Sequence, residues 1–234
     1  MRFKKIYLIT ISLFLIYIFL VFVAFFNLER YTDANSNVIN NDVTVVIDAG
    51  HGGEDGGAVA NDITEKDINL SIANKLADVF KTAGYKVVMT RSEDEMVNAE
   101  GETLRNRKVS DMHNRLDIFN ENESNVVISI HQNKFTQEQY HGTQIFYSAN
   151  NEKSLSLATA IRDDVRLLIQ PDNTRECKPA GTEIFLLNNT NVPAVIVECG
   201  FISNYEESRK LNTEEYQDKI VFAIFAGFMD YINN

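Results

Sequence analysis

Residues 43–53 read Val43-Thr44-Val45-Val46-Ile47-Asp48-Ala49-Gly50-His51-Gly52-Gly53. A short run rich in Val and Ile, stopped by glycine, reads as a strand buried on both faces. Two later runs end in the same way. Residues 126–130 give way to His131-Gln132-Asn133, and Ala194–Val197 give way to Glu198-Cys199-Gly200. Strand-like runs at 43–48, 85–90, 126–130, 143–147, 183–187 and 194–198 alternate with helical periodicity at 65–83, about 107–121, 152–169 and 214–232. Such alternation predicts a single α/β domain: a mainly parallel, twisted sheet of about six strands with helices on both faces. In the first helical stretch Ile68, Ile72, Ala73, Leu76, Val79 and Phe80 form one apolar stripe. Thr64 with Asp67 predicts a capping box at its start, and Gly84 suits its end.

In open α/β sheets the ligand crevice lies beyond the carboxyl ends of the strands. The expected topology therefore brings His51, His131 and Glu198 to one edge, and Glu65 opens the helix after the first loop. Two imidazoles and a carboxylate with one position left open is how proteins hold a catalytic Zn²⁺. A further glutamate beside the metal serves as general base. Of the four histidines, His113 falls in a helical pattern and His141 before a strand, so neither is expected to ligate. Lys66 and Asp67 are expected on the surface. Five of the eleven glycines fall in residues 50–57, where backbone can approach a ligand closely. No GK[ST] or GxGxxG pattern follows, which argues against a phosphate loop.

Five segments strengthen this reading. DAGHGGEDGGA (48–58), TEKDINLSIANKL (64–76), MTRSED (89–94), SIHQN (129–133) and VECGFISN (197–204) resemble, in order, the zinc-dependent N-acetylmuramoyl-L-alanine amidases of the Amidase_3 family. The SIHQN and VECGF variants on a short chain are most similar to its germination-specific branch in spore formers. The resemblance implies one Zn²⁺ on His51, Glu65 and His131, and Glu198 as the catalytic residue. Asn133, two residues beyond His131, is the substrate-binding candidate, and Arg115 an ion-pair candidate. The reaction implied is hydrolysis of the amide between the muramic acid lactyl group and L-alanine of peptidoglycan, in spore cortex, on the way to muramic δ-lactam. Two alternatives stand beside it: a non-catalytic peptidoglycan-binding module on the same fold, and a zinc peptidase acting on the stem peptide. The commonest peptidase signature, HExxH, does not occur.

The rest of the chain sets the compartment. Residues 6–26, IYLITISLFLIYIFLVFVAFF, carry no charge and follow Arg2, Lys4 and Lys5. About 20 such residues span a bilayer, and the basic flank stays cytoplasmic. The expected organisation is a basic flank at 1–5, a transmembrane anchor or signal segment at 6–26, a polar tether at 27–42 and a catalytic domain at 43–234. An anchor is favoured over a cleaved signal because no small-x-small site follows Ala24. The domain is then exported, on the outer face of a bacterial membrane and the cortex side of a spore former. Three of the 22 basic residues and none of the 33 acidic ones lie in 1–26, which leaves the remainder near −14. That balance argues against nucleic acid as a partner. Cys199 should point away from Glu198 into the core, and an exported disulfide to Cys177 is permitted but not expected. The stretch 93–110 is long and charged. A separate exported protein is expected to position or activate the enzyme, docking near 93–110 or the C-terminal helix.

Overall fold

The computed structural model describes residues 42–234. The expectations for 1–5, 6–26 and most of 27–42 lie outside the described residues. Among the described residues no helix is long and apolar enough to cross a membrane.

Six strands form one mixed sheet in the order β4-β1-β5-β8-β6-β7. They are β1 (Thr44–Ala49), β4 (Lys86–Met89), β5 (Asn125–Asn133), β6 (Gln144–Tyr147), β7 (Lys178–Pro179) and β8 (Ala194–Phe201). The pairs β1/β4, β1/β5, β5/β8 and β6/β7 are parallel, whereas β6 runs antiparallel to β8. The carboxyl ends of β1, β5 and β8 therefore share one edge with the amino end of β6. A two-stranded hairpin, β2 (Val59–Ala60) and β3 (Ile63–Thr64), precedes the first helix. Its turn residues Asn61 and Asp62 both have positive φ, at 49° and 60°. That is the primed turn whose twist matches the flanking strands.

The helices are α1 (Glu65–Thr82), α2 (Leu104–Asn120), α3 (Lys153–Leu168), α4 (Phe185–Asn189), α5 (Tyr205–Leu211) and α6 (Glu214–Asn233). α1, α6 and α3 pack together on one face of the sheet, and α2 with α4 covers the other. Alternation along β1 explains both layers: Val46 joins Phe119, Val127, Leu187 and Ile196 under α2 and α4. The C-terminus of α1 is closed as expected. Gly84 takes φ 89°, with Gly84 N donating to Lys81 O at 3.0 Å and Tyr85 N to Phe80 O at 3.0 Å.

Two local expectations are corrected. Residues 183–187 are expected as a strand but lead into α4, where the consecutive Leu186 and Leu187 are both buried in the cluster with Phe119, as neighbours on a helical turn can be and alternating strand residues cannot. The Thr64 side chain makes no capping hydrogen bond. The α1 start is held instead by Glu65 N to Ala58 O at 2.9 Å and Lys66 N to Gly56 O at 3.2 Å.

α3 and α6 meet at Gly227, where a Cβ would lie 2.4 Å from Ile161 Cα and 2.7 Å from Ile161 N. Alanine normally gains about 1 kcal/mol over glycine inside a helix. Here backbone cannot yield locally, so overpacking should prevail. Gly227→Ala is expected to lose about 1–3 kcal/mol, read as a lower urea midpoint with unchanged slope.

Candidate metal centre

The loop after β1 holds His51 at φ 61°, a left-handed backbone that non-glycine residues seldom adopt. Buried cations secure it from below. Arg115 on α2 donates to Asp48 Oδ1 at 2.5 Å, to Ala49 O at 2.8 Å and to His51 O at 2.7 Å. Its Nε meets Asp111 at 2.6 Å. Arg91 donates to Ala49 O, Gly50 O and Lys66 O at 2.8–3.0 Å. Asp48 and Arg115 are both buried. Burial alone would push the Asp48 carboxyl up. Arg115, with Ser129 and Thr90, more than offsets this and holds it below the usual carboxylate range.

The expected residues come together. Ligand atoms of His51, Glu65 and His131 all lie within 4.8 Å of one another. Glu65 Oε1 is 2.9 Å from His131 Nδ1 and 3.3 Å from His51 Nε2. Its Oε2 accepts from Ala58 N at 2.8 Å. His51 Nδ1 faces Asp55 Oδ2 at 2.8 Å. A carboxylate on one ring nitrogen fixes the imidazole and leaves the other for a metal. Burial would lower the His51 pKa, but hydrogen bonds to Asp55 and Glu65 outweigh it and push it up to about 9. Burial would raise Glu65, but the two imidazoles hold it far below the usual range. Space is tight around the cluster: a Cβ on Gly50 would sit 2.3 Å from the His131 ring, and one on Gly57 would sit 2.6 Å from His51.

Glu198 pairs with His131 across β5 and β8. Its Oε2 is buried without a hydrogen-bond partner. Burial pushes its pKa up to about 7, against the pull of His131. A recess of about 220 Å³ beside the cluster is lined by His51, His131 and Arg115 on one side and Ile184, Phe185 and Leu186 on the other. An unpartnered Glu198 oxygen beside two imidazoles and the Glu65 carboxylate fits a divalent cation in the gap.

Other expected residues also find their places. Asn133 ends β5 at a register shift, and its carbonyl accepts from Ile202 N at 2.9 Å. His113 stands edge-on to Phe185 at 5.0 Å and His141 is exposed, both outside the cluster. Cys199 is buried and both cysteines are free. Lys66 was expected on the surface, yet its Nζ ties Gly53 O at 2.8 Å to Asp94 at 2.6 Å. The charged stretch 93–110 folds over the glycine loop through Asp94 and through Lys108 to Asp55 at 2.6 Å. Asp55, Asn69, Gln132 and Glu207 escaped the sequence reading. Asp55 alone left a signal, as the carboxylate four residues after His51. Asn69 and Gln132 bond each other at 3.2 Å behind Glu65. Buried Glu207 accepts from Gly142 N and Phe201 N at 2.8–3.1 Å, fastening the loop before β6 to the end of β8.

The Amidase_3 family, N-acetylmuramoyl-L-alanine amidase, matches residues 45–230. This chain belongs to that family. The germination-specific N-acetylmuramoyl-L-alanine amidase of Bacillus subtilis is 34% identical over 188 residues, covering 80% of this chain and 78% of the relative. The structure of the CwlD amidase from Clostridioides difficile, in complex with the GerS lipoprotein, matches with TM-score 0.78 and 38% identity. That match covers 82% of this chain and 98% of the other. A second N-acetylmuramoyl-L-alanine amidase, from Clostridium difficile 630, matches with TM-score 0.71 and 28% identity over 83% of this chain and 99% of that one. The family places this amidase chain among the hydrolases.

Asp48→Asn removes one of the two carboxylates that Arg115 meets, leaving Asp111, and should cost about 1–3 kcal/mol at neutral pH. A lowered folded pKa contributes stability above the unfolded value and loses it as pH falls. The gap between wild type and variant in denaturant titrations should therefore close below about pH 4. A second expectation follows from His51. Cation binding needs its neutral form, so at pH 7.5 binding should release about one proton. Calorimetry in buffers of different ionisation enthalpy reads this directly, and apparent affinity should climb with pH up to about 9.

Proposed function

We propose that this amidase cleaves the amide between the muramic acid lactyl group and L-alanine in spore-cortex peptidoglycan, using one Zn²⁺. The observation that carries the reading is the meeting of His51, Glu65 and His131 beside the unpartnered Glu198 oxygen. His51, Glu65 and His131 would hold the metal, leaving one position open. Zinc, when bound, supplies Lewis-acid polarisation of the scissile carbonyl and of the attacking water. Glu198 takes the water proton at its carboxylate and returns it to the departing L-alanine nitrogen. Its buried setting keeps that carboxylate ready to hold a proton between the two transfers. Asp55 orients His51, and Arg115 keeps the His51 backbone in place. Asn133 lies on the His131 face of β5 and is assigned to substrate binding.

The cortex setting rests on likeness to the germination-specific relative. Export with residues 6–26 in the membrane rests on their length and lack of charge. The lipoprotein held by the Clostridioides difficile relative supports an exported partner for this chain too.

Glu198→Gln keeps the shape but cannot accept a proton. Turnover on purified cortex peptidoglycan should fall by about 10²–10⁴-fold, with bound zinc unchanged by metal analysis. Mass spectrometry of the wild-type digest should show free L-alanine amines and intact lactyl carboxyl groups. Fragments cut within the stem peptide would favour the peptidase alternative.

A further inference from the structure

A second cavity, of about 460 Å³, lies at the same sheet edge. Gln144, Tyr140, His141, Asp172, Arg175 and Lys178 are among its lining residues. Gln144 links it to the metal centre, because it is the register partner of Glu198 across β6 and β8. Directly opposed residues of an antiparallel pair lie only about 5 Å apart, with side chains on one face.

Arg175 is held in a fixed posture within this cavity. Its guanidinium carbon stands 4.6 Å from the Phe201 ring centroid and 5.9 Å from that of Tyr140. Phe135 stacks on Phe201, with ring centroids 5.5 Å apart at an interplanar angle of 19°. Arg175 Nε donates to His141 O at 2.9 Å, which fixes the fork's rotation. Its two terminal nitrogens make no hydrogen bond or ion pair among the described residues. Lys178 has no ion-pair partner either, whereas the nearby Glu176 is already taken by Arg162 and Arg166 at 2.6 and 3.0 Å. Asp172 is the remaining acid on the rim. Arg175 also lies within electrostatic reach of the buried Glu207 carboxylate, whose own oxygens are taken by backbone N–H groups, so the guanidinium fork itself stays open. In a chain of formal charge −11, two cations with open donors beside the reactive edge are a local reversal.

We propose that Arg175 is a specificity-determining residue that binds a free carboxylate of the peptidoglycan stem peptide, with Lys178 adding to the attraction. The proposal rests on the amidase reading of the metal centre. A stacked guanidinium presents two parallel donors that match a carboxylate fork. Across the register shift, Phe201 pairs with Asn133, two residues beyond the His131 that faces Glu198, which puts it roughly 7 Å along the strand. At about 3.5 Å per residue, a stem peptide leaving the scissile amide covers that distance within its first three residues.

The test uses the full zinc-loaded chain in detergent and two soluble muramyl tripeptides. One carries its free carboxylates, and the other has them as carboxamides. Charge-assisted hydrogen bonds should give wild type about a tenfold to hundredfold preference in kcat/KM for the carboxylate form, carried mainly by KM. Arg175→Gln should remove that preference and leave the carboxamide rate near wild type. Equal wild-type rates on the two forms would overturn the proposal. So would an equal loss on both in Arg175→Gln. Calorimetric binding of the two compounds to full-length Glu198→Gln reads the same contrast without turnover. A chain that binds with the expected preference but never cleaves the amide would refute the amidase reading alone.

Discussion

The loop that carries His51 hangs on a guanidinium buried under the end of β1. Arg115 meets the Asp48 carboxylate and the carbonyls of Ala49 and His51. Removing it would leave buried Asp48 with only the Thr90 and Ser129 hydroxyls and no countercharge, and would take the donor from His51 O in a loop whose His51 sits in a strained backbone region. A buried pair of this kind is weak evidence for stability in itself. Its effect here is positional. It sets the height at which the His51 imidazole leaves the sheet, and Glu65 and His131 are then arranged around that ring.

The same local logic separates the two glutamates. Glu65 is surrounded by two imidazoles and backbone donors, and these hold it ionised against the effect of burial. Glu198 has one oxygen with no donor at all, and burial dominates. Two carboxylates on one sheet edge thus have opposite tendencies, the arrangement that lets one serve as ligand and the other exchange a proton.

Much of this was readable from residue order. Runs such as Val43–Ile47 and Ala194–Val197 are buried on both faces, so they leave a continuous apolar signal, and glycine marks where each ends. That sufficed to place His51, His131 and Glu198 at strand ends and Glu65 at a helix start. Residues 183–187 misled because a short apolar run fits either a strand or a buried helical turn, and only packing of Leu186 and Leu187 on Phe119 separates them. Glu207 and Arg175 were invisible for a different reason. Each fastens a segment more than thirty residues away, Gly142 for Glu207 and His141 for Arg175, which no local pattern announces. The hairpin turn at Asn61-Asp62 is legible chemistry, since Asn and Asp tolerate the positive φ that such a turn needs.

The reversal of β6 has a consequence for how such a site can diversify. In an all-parallel sheet, only the connections leaving the strands border the reactive edge. Here one connection arrives there instead: residues 134–143 enter β6 directly beside Glu198. Glu207 clamps its last turn at Gly142, so Gln144 keeps its register while the segment ahead of the clamp lies outside the sheet. Changes of length or sequence between Lys134 and His141 therefore redraw one wall of the cleft without displacing the metal-side loop, which hangs from a different strand and a different arginine. The loop that carries His51 and the wall ahead of β6 are thus separately anchored pieces of chain.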